Sequence, residues 1–261
     1  MYTINFIHLQ GLRLLILLII ICGCQNTDSK IDKNFETTHI NSINTSNQST
    51  KHIVYPVKLD TLEQKLIDAG LVDIQKVDAS IIVLLKYATN DNFMQTNVYG
   101  NLKKAYLQAE VAQSLSEAQQ YLKSIDTSLS LLVYDAVRPR SVQQYMWDYL
   151  DLPVSEKIKF VSNPKNGSIH NYGSAVDLTI AKNDGTPLDM GAKYDEIESI
   201  AYPRLESEFL ASGELSIAQV QNRKLLRKVM KKAGFTGISS EWWHFNRYPR
   251  WKAKSLYEII E

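Results

Sequence analysis

Both cysteines of this 261-residue chain, Cys22 and Cys24, fall close to its start. Everything after them must fold without a disulfide, so its stability has to come from a buried apolar core. Any metal centre in that stretch must likewise be assembled from imidazoles and carboxylates, because no thiolate is on hand. Composition permits such a core, with 44% hydrophobic and 22% charged residues. A formal net charge of +1 provides no broad electrostatic footprint for a nucleic acid, and none is expected as a partner. The short basic clusters around Arg223–Arg227 and Lys231–Lys232 read as a solvated helix face.

The region around the cysteines has a logic of its own. Arg13 precedes an unbroken apolar run over 14–21, which is followed by Cys22-Gly23-Cys24. The run is shorter than the roughly 20 apolar residues a membrane-spanning helix needs, and it has the layout of a targeting peptide. Ile21-Cys22-Gly23-Cys24 resembles a bacterial lipobox, which implies cleavage before Cys24 and lipidation of that residue. The alternative is a plain secretory signal or anchor with an uncleaved cysteine. The direct succession of apolar run, small residue and cysteine favours the lipoprotein. The expected organisation is a signal peptide over 1–23, a lipidated Cys24 with a disordered polar tether over 24–55, and one domain over 56–261. The tether is rich in Asn, Ser and Thr and has little to bury. The expected location is the cell envelope, membrane-anchored and extracytoplasmic, on the periplasmic side.

Along the remainder, helical and extended patterns are interspersed. Residues 61–69 read as a short helix closed by Gly70, and 81–87 as a buried strand. Residues 105–125 carry a helical stripe of Leu107, Val111, Leu115, Ala118 and Leu122. A strand is predicted over 129–134, a helix capped by Ser141 over 142–150, and a strand over 174–180 ended by Asp184-Gly185. A long helix over 217–233 lies between Ser216 and Gly234, and the last strands are expected within 235–248. There is no regular strand–helix–strand rhythm. The fold class predicted is therefore α+β, a single compact domain with a mainly antiparallel sheet flanked by helices.

Two segments carry chemistry. In the strand at 174–180, Val176, Leu178 and Ile180 alternate with Ala175, Asp177 and Thr179. Asp177 is thereby expected on a face with small neighbours, free to reach a ligand. His170 precedes Gly173, whose backbone freedom can fold the loop back over the strand. Downstream, Glu241-Trp242-Trp243-His244 offers a second histidine with a carboxylate three residues before it. Two histidines and one carboxylate with an open position form a hydrolytic metal set, and a further carboxylate beside it can move protons. Alone, each of these residues would read as an ordinary polar group, and the tryptophans as core aromatics walling the site.

Ser-x-His-x-x-Gly-Ser-Ala-x-Asp at 168–177, with Glu-Trp-Trp-His at 241–244, resembles the zinc D,D-peptidases of peptidoglycan metabolism. Within them the chain is most similar to the D-alanyl-D-alanine dipeptidase branch, over about residues 66–248. The resemblance implies one zinc ion per chain on His170, Asp177 and His244, with Glu241 as the base. It implies that Arg138, in Asp135-Ala136-Val137-Arg138-Pro139, steadies the oxyanion. It also implies substrate contacts at Ser168, at Asp195 for the amino end, and at Tyr87 in Lys86-Tyr87-Ala88-Thr89-Asn90-Asp91. The chain departs from the family pattern at Ala136 and Val137, where an aromatic and a glycine are common, and at Asn90, where an aromatic is usual. Those departures bear on dipeptide preference and leave the metal set complete. The expected partners are a small D,D-dipeptide and, through the anchor, a membrane. Two other functions compete: a D,D-carboxypeptidase trimming longer stem peptides, and a silent wall-binding lipoprotein. An enzyme outside the membrane suits turnover of wall-derived dipeptides better than drug resistance.

Overall fold

The computed structural model describes residues 62–261. The expected signal segment, Cys24 and the polar tether lie outside the described residues. Among those described, no helix is long and apolar enough to cross a membrane.

The described residues open with helix α1 (Leu62–Asp68), strand β1 (Val72–Asp73), the single turn α2 (Ile74–Val77) and strand β2 (Ile82–Val83). Strand β3 (Tyr106–Leu107), helix α3 (Ala109–Ile125) and strand β4 (Leu129–Asp135) follow. Next come α4 (Arg140–Tyr149), α5 (Val154–Lys157) and β5 (Ala175–Lys182). The last elements are α6 (Glu206–Ser212), α7 (Ile217–Lys232), β6 (Thr236–Gly237), β7 (His244–Asn246) and α8 (Arg250–Leu256). The main sheet has the order β2-β4-β5-β7-β6, and only the β2–β4 pair is parallel. A separate ribbon pairs β1 with β3. The expected α+β class with a mainly antiparallel sheet is what forms.

The central strands are β4 and β5. Every residue of β4 is buried, as is every residue of β5 except Lys182. Helix α3 packs on β4, and α7 packs on α3 and β5. The stripe Val111, Leu115, Ala118 and Leu122 is wholly buried in that layer. Burying such side chains contributes roughly 1.5–3 kcal/mol each for Val and Leu, which is how a domain with no disulfide is held. Helix α7 begins with a capping box between Ser216 and Gln219, satisfying amide groups the helix cannot satisfy itself.

Four local expectations are corrected. Within 81–87 only Ile82–Val83 is strand; Lys86–Ala88 winds into a 3-10 turn that carries the Tyr87 ring inward. Leu107 belongs to strand β3, and α3 starts two residues later. Helix α4 begins at Arg140 with Pro139 in the cap position; Ser141 lies inside it, its Oγ buried without a partner. Proline, with φ fixed, sets that start. Finally, the Ala175–Asp177–Thr179 face of β5 is not open: Ala175 and Thr179 are fully buried. A central strand covered on both faces can keep small and polar residues on one of them, so alternation alone did not reveal the second cover.

Candidate active site and metal centre

The site lies where β5 meets β7. The register sets Asp177 directly opposite His244, so both side chains leave the same face of the sheet. His170 arrives from a 3-10 turn (Ile169–Tyr172) that ends at Gly173 in the left-handed region, φ +62°. A Cβ at Gly173 would stand 3.0 Å from the Leu71 side chain and 3.4 Å from the Gln108 backbone nitrogen. Glycine is therefore required for the turn to fold back over β5. The Arg138 backbone N–H donates to the His170 carbonyl at 3.1 Å, tying the loop after β4 to the His170 turn. Asn171 adds to this with hydrogen bonds to the Arg138 carbonyl and the Gln143 side chain.

Three atoms converge. His170 Nε2 is 3.3 Å from Asp177 Oδ1, His244 Nδ1 is 2.9 Å from the same oxygen, and the two nitrogens are 3.1 Å apart. The outer ring nitrogens are engaged elsewhere. His170 Nδ1 donates to the Ala136 carbonyl at 2.6 Å, and His244 Nε2 donates to Asn246 Oδ1 at 3.0 Å. Tyr194 Oη donates to Asp177 Oδ2 at 3.1 Å. With the outer positions protonated, the inner lone pairs of both imidazoles face a carboxylate oxygen across about 3 Å. Such a cluster demands a positive charge. Without a metal it takes a proton: burial opposes charge on His244, but the hydrogen bond to Asp177 outweighs it and lifts the pKa to about 9. Burial likewise opposes ionisation of Asp177, yet the two imidazoles hold its carboxyl well below the usual range. A divalent cation supplies the same charge with better geometry, since donors bound at about 2.0–2.2 Å sit roughly 3.3 Å from one another in a tetrahedral set. The residues fit a metal, and outer partners of this kind fix the tautomer that a ligand histidine needs.

Glu241, Arg138, Ser168, Tyr87 and Asp195 line one cavity with these three residues, about 400 Å³ in volume. Glu241 Oε2 is 3.9 Å from His244 Nδ1, beside the cluster rather than in it, with 35% of its side chain still exposed. The protein around it disfavours its charge and raises its pKa. Arg138 is buried, its Nε and Nη2 donating to Asp135 Oδ2 at 2.9 and 2.6 Å. Burial works against its charge; Asp135 more than offsets that, so the guanidinium stays cationic. It packs over the Tyr87 ring at 4.9 Å and stands 3.6 Å from Asp177. The turn partnership with Asp135 and a place in the cavity thus belong to the same side chain.

Asp195 differs from the rest. It sits in a long irregular segment with a left-handed backbone, φ +60°, unusual for a residue with a side chain. Tyr87 Oη donates to its Oδ1 at 3.1 Å, while Oδ2 is buried with no partner. Burial and the nearby charge of Asp177 push its pKa well above the usual carboxylate range. Ser168 is occupied: its Oγ donates to Gln143 Oε1 at 2.8 Å. Trp243 lines the cavity, and Trp242 does not.

Sequence reasoning missed Asn246, Tyr194 and the Ala136 carbonyl, which orient the three converging groups. Asn246 had a signal, since it lies two residues beyond His244 on the same strand face. Tyr194 had none, because its place depends on the path of the irregular segment.

A family model described as D-ala-D-ala dipeptidase, of peptidase M15, matches residues 67–257. The chain belongs to this family. It is 35% identical over 179 residues to the D-alanyl-D-alanine dipeptidase of Escherichia coli, a match covering 67% of this chain and 83% of the relative. The enzyme of the same name from Synechocystis is 28% identical, covering 54% and 68% respectively. That of Enterococcus faecium is 29% identical, covering 61% and 82%. Family membership makes the chain a metallopeptidase, and the converging cluster lies inside the matched stretch.

Proposed function

We propose that the protein is a zinc-dependent dipeptidase that hydrolyses D-Ala-D-Ala or a closely related D,D-dipeptide. The observation that carries this reading is the convergence of His170 Nε2, His244 Nδ1 and Asp177 Oδ1, with the Glu241 carboxylate 3.9 Å from His244 Nδ1. The three residues would hold one zinc ion, whose chemistry when bound is to polarise a carbonyl and ease deprotonation of water. Imidazole and carboxylate donors suit zinc.

The chain's own residues divide the remaining work. Glu241 takes the proton of the attacking water and passes it to the departing amine; its raised pKa brings it closer to that exchange. Arg138, fixed on one edge by Asp135, faces the negative charge that develops on the carbonyl oxygen. Asp195 receives the substrate's ammonium group. It is a part-buried carboxyl with one buried, orphan oxygen; a cation beside it favours its ionised form, so the free amino end of a dipeptide is favoured. Ser168 and Tyr87 act mainly by holding neighbours in place, Tyr87 through Asp195 and Ser168 through Gln143. The proposed setting is the cell envelope, with Cys24 lipidated and the domain tethered outside the membrane, where it would turn over wall-derived dipeptides.

The test is a panel of D,D, L,D and L,L dipeptides plus a D,D-terminated pentapeptide, each assayed with and without a chelator. The D,D-dipeptide should be cleaved fastest, and only without chelator. Preference for the pentapeptide would make the protein a carboxypeptidase, and hydrolysis indifferent to chelator would remove the metal from the account.

A further inference from the structure

A free dipeptide carries a carboxylate as well as an ammonium group, and Asp195 can match only the ammonium. The wall of the catalytic cavity holds three cationic side chains, Arg138, Lys159 and Arg250. Two of them are already matched by carboxylates. Arg138 lays two prongs on Asp135, and Lys159 Nζ stands 2.7 Å from a Glu156 oxygen. Arg250 has no acidic partner among the described residues; its hydrogen bonds there all go to backbone carbonyls.

The way Arg250 is held leaves one side of it open. It is the first residue of α8 and is exposed, so a ligand in the cavity can reach it. Nη1 donates to the Asn166 carbonyl at 2.9 Å and to the Gly167 carbonyl at 2.8 Å. Gly167, at φ +68° and ψ 171°, closes the 3-10 turn Pro164–Asn166 in a conformation almost confined to glycine. Those bonds fix Nη1 and leave Nε and Nη2 without a partner among the described residues. Nε and Nη2 form the guanidinium edge that takes a carboxylate through two parallel hydrogen bonds. Ser168, the next residue after Gly167, also lines the cavity. His170 follows three residues after Gly167, a span of ~11 Å at most. Arg250 is thus anchored to the same short stretch that delivers the metal-facing imidazole.

We propose that Arg250 receives the free C-terminal carboxylate of the dipeptide, and so selects substrates whose chain ends one residue past the scissile bond. This rests on the hydrolytic reading and deepens it by assigning the other end of the substrate. Asp195 then disfavours a chain extended at its amino end, and Arg250 one extended or blocked at its carboxyl end. A planar fork held in one orientation suits that task better than a flexible ammonium group.

The test compares D-Ala-D-Ala with its C-terminal amide as substrates of the metal-loaded protein, of Arg250→Gln and of Arg250→Lys. The wild-type protein should favour the acid in kcat/KM by about 10–100-fold, as expected for a hydrogen-bonded charge pair. Arg250→Gln should lose that factor on the acid, mainly through a higher KM, and change little on the amide. Arg250→Lys, which keeps the charge without the fork, should fall between. Preference is a ratio within one protein, so a variant that folds or loads metal incompletely still yields it. The proposal is overturned if the wild-type protein does not prefer the acid, or if that preference survives in Arg250→Gln. An equal loss on acid and amide would also overturn it, leaving Arg250 only as a tie for the turn at Asn166–Gly167. Cleavage of neither substrate by the wild-type protein would instead defeat the hydrolytic reading. Calorimetric titration of the same pair then decides Arg250: tighter binding of the acid, lost in Arg250→Gln, supports the assignment, and equal binding of the two overturns it.

Discussion

The two ends of the catalytic cavity are built on different principles. At the metal end, Asp177 and His244 are cross-strand partners in the middle of a sheet, and each converging group is held by a further hydrogen bond, from Tyr194 or to Asn246 or Ala136. At the far end, Asp195 stands in an irregular segment with a left-handed backbone and an unmatched buried oxygen. The first arrangement has its charges balanced before substrate arrives. The second is balanced only once a cation enters. Two of the three converging groups are thus mounted on paired strands and the third on a turn tied to them, whereas the carboxylate proposed for recognition lies on a segment whose favourable state depends on the ligand.

That contrast can be broken most forcefully at Glu241. Glu241→Gln should lower kcat by about 10²–10⁴ while leaving metal content unchanged, because it stands beside the cluster and not in it. Steady-state kinetics with elemental analysis checks both halves; loss of metal together with rate would move Glu241 into the ligand set. Arg138→Lys should cost about 10²–10³ in kcat, since a lysine cannot keep the two-pronged hold on Asp135 while facing the cavity. Asn246→Ala probes the rigid end more gently: losing the partner of His244 Nε2 should weaken metal affinity about 10–100-fold, measured by competition with a chelator of known affinity.

Asp195→Asn sharpens the other end. It should raise KM for the dipeptide by roughly tenfold or more, with a smaller change in kcat. Its effect on stability carries the opposite sign. The folded-state pKa of Asp195 is raised, so the folded protein keeps this proton to a higher pH than the unfolded chain does. The carboxyl therefore costs nothing below its unfolded pKa, and destabilises the substrate-free fold increasingly as pH rises above it. Asn avoids that cost, and substrate-free Asp195→Asn should melt a few °C higher at neutral pH, on the order expected for one kcal/mol or so, with no gain near pH 3. Thermal melts at the two pH values decide this; equal melting temperatures would mean Asp195 is already matched.

What the sequence disclosed follows the same division. His170, Asp177 and His244 were legible because a turn glycine, a strand pattern and a short downstream cluster each have a local signature. The sheet class and the helices α3 and α7 were legible from periodicity and from Ser216 at a helix start. Tyr194 and the second face of β5 were not, because both depend on how the irregular segment over 183–205 lies across the sheet, a long-range outcome with no local code. The 3-10 turn at Lys86–Ala88 was hidden for a related reason: an apolar run suits a buried strand and a buried turn equally well.

The central claim is that three side chains far apart in the chain hold one cation between them. Metal content per chain, measured in the active protein and in His170→Ala, tests it most directly. The account predicts one zinc ion per chain in the active protein, released by chelator with loss of hydrolysis and restored on adding zinc, and essentially none in the variant. Loading should also release protons below about pH 9, where metal-free His244 carries one. A fully active protein without metal, or a His170→Ala variant that keeps its ion at parental affinity, would contradict it.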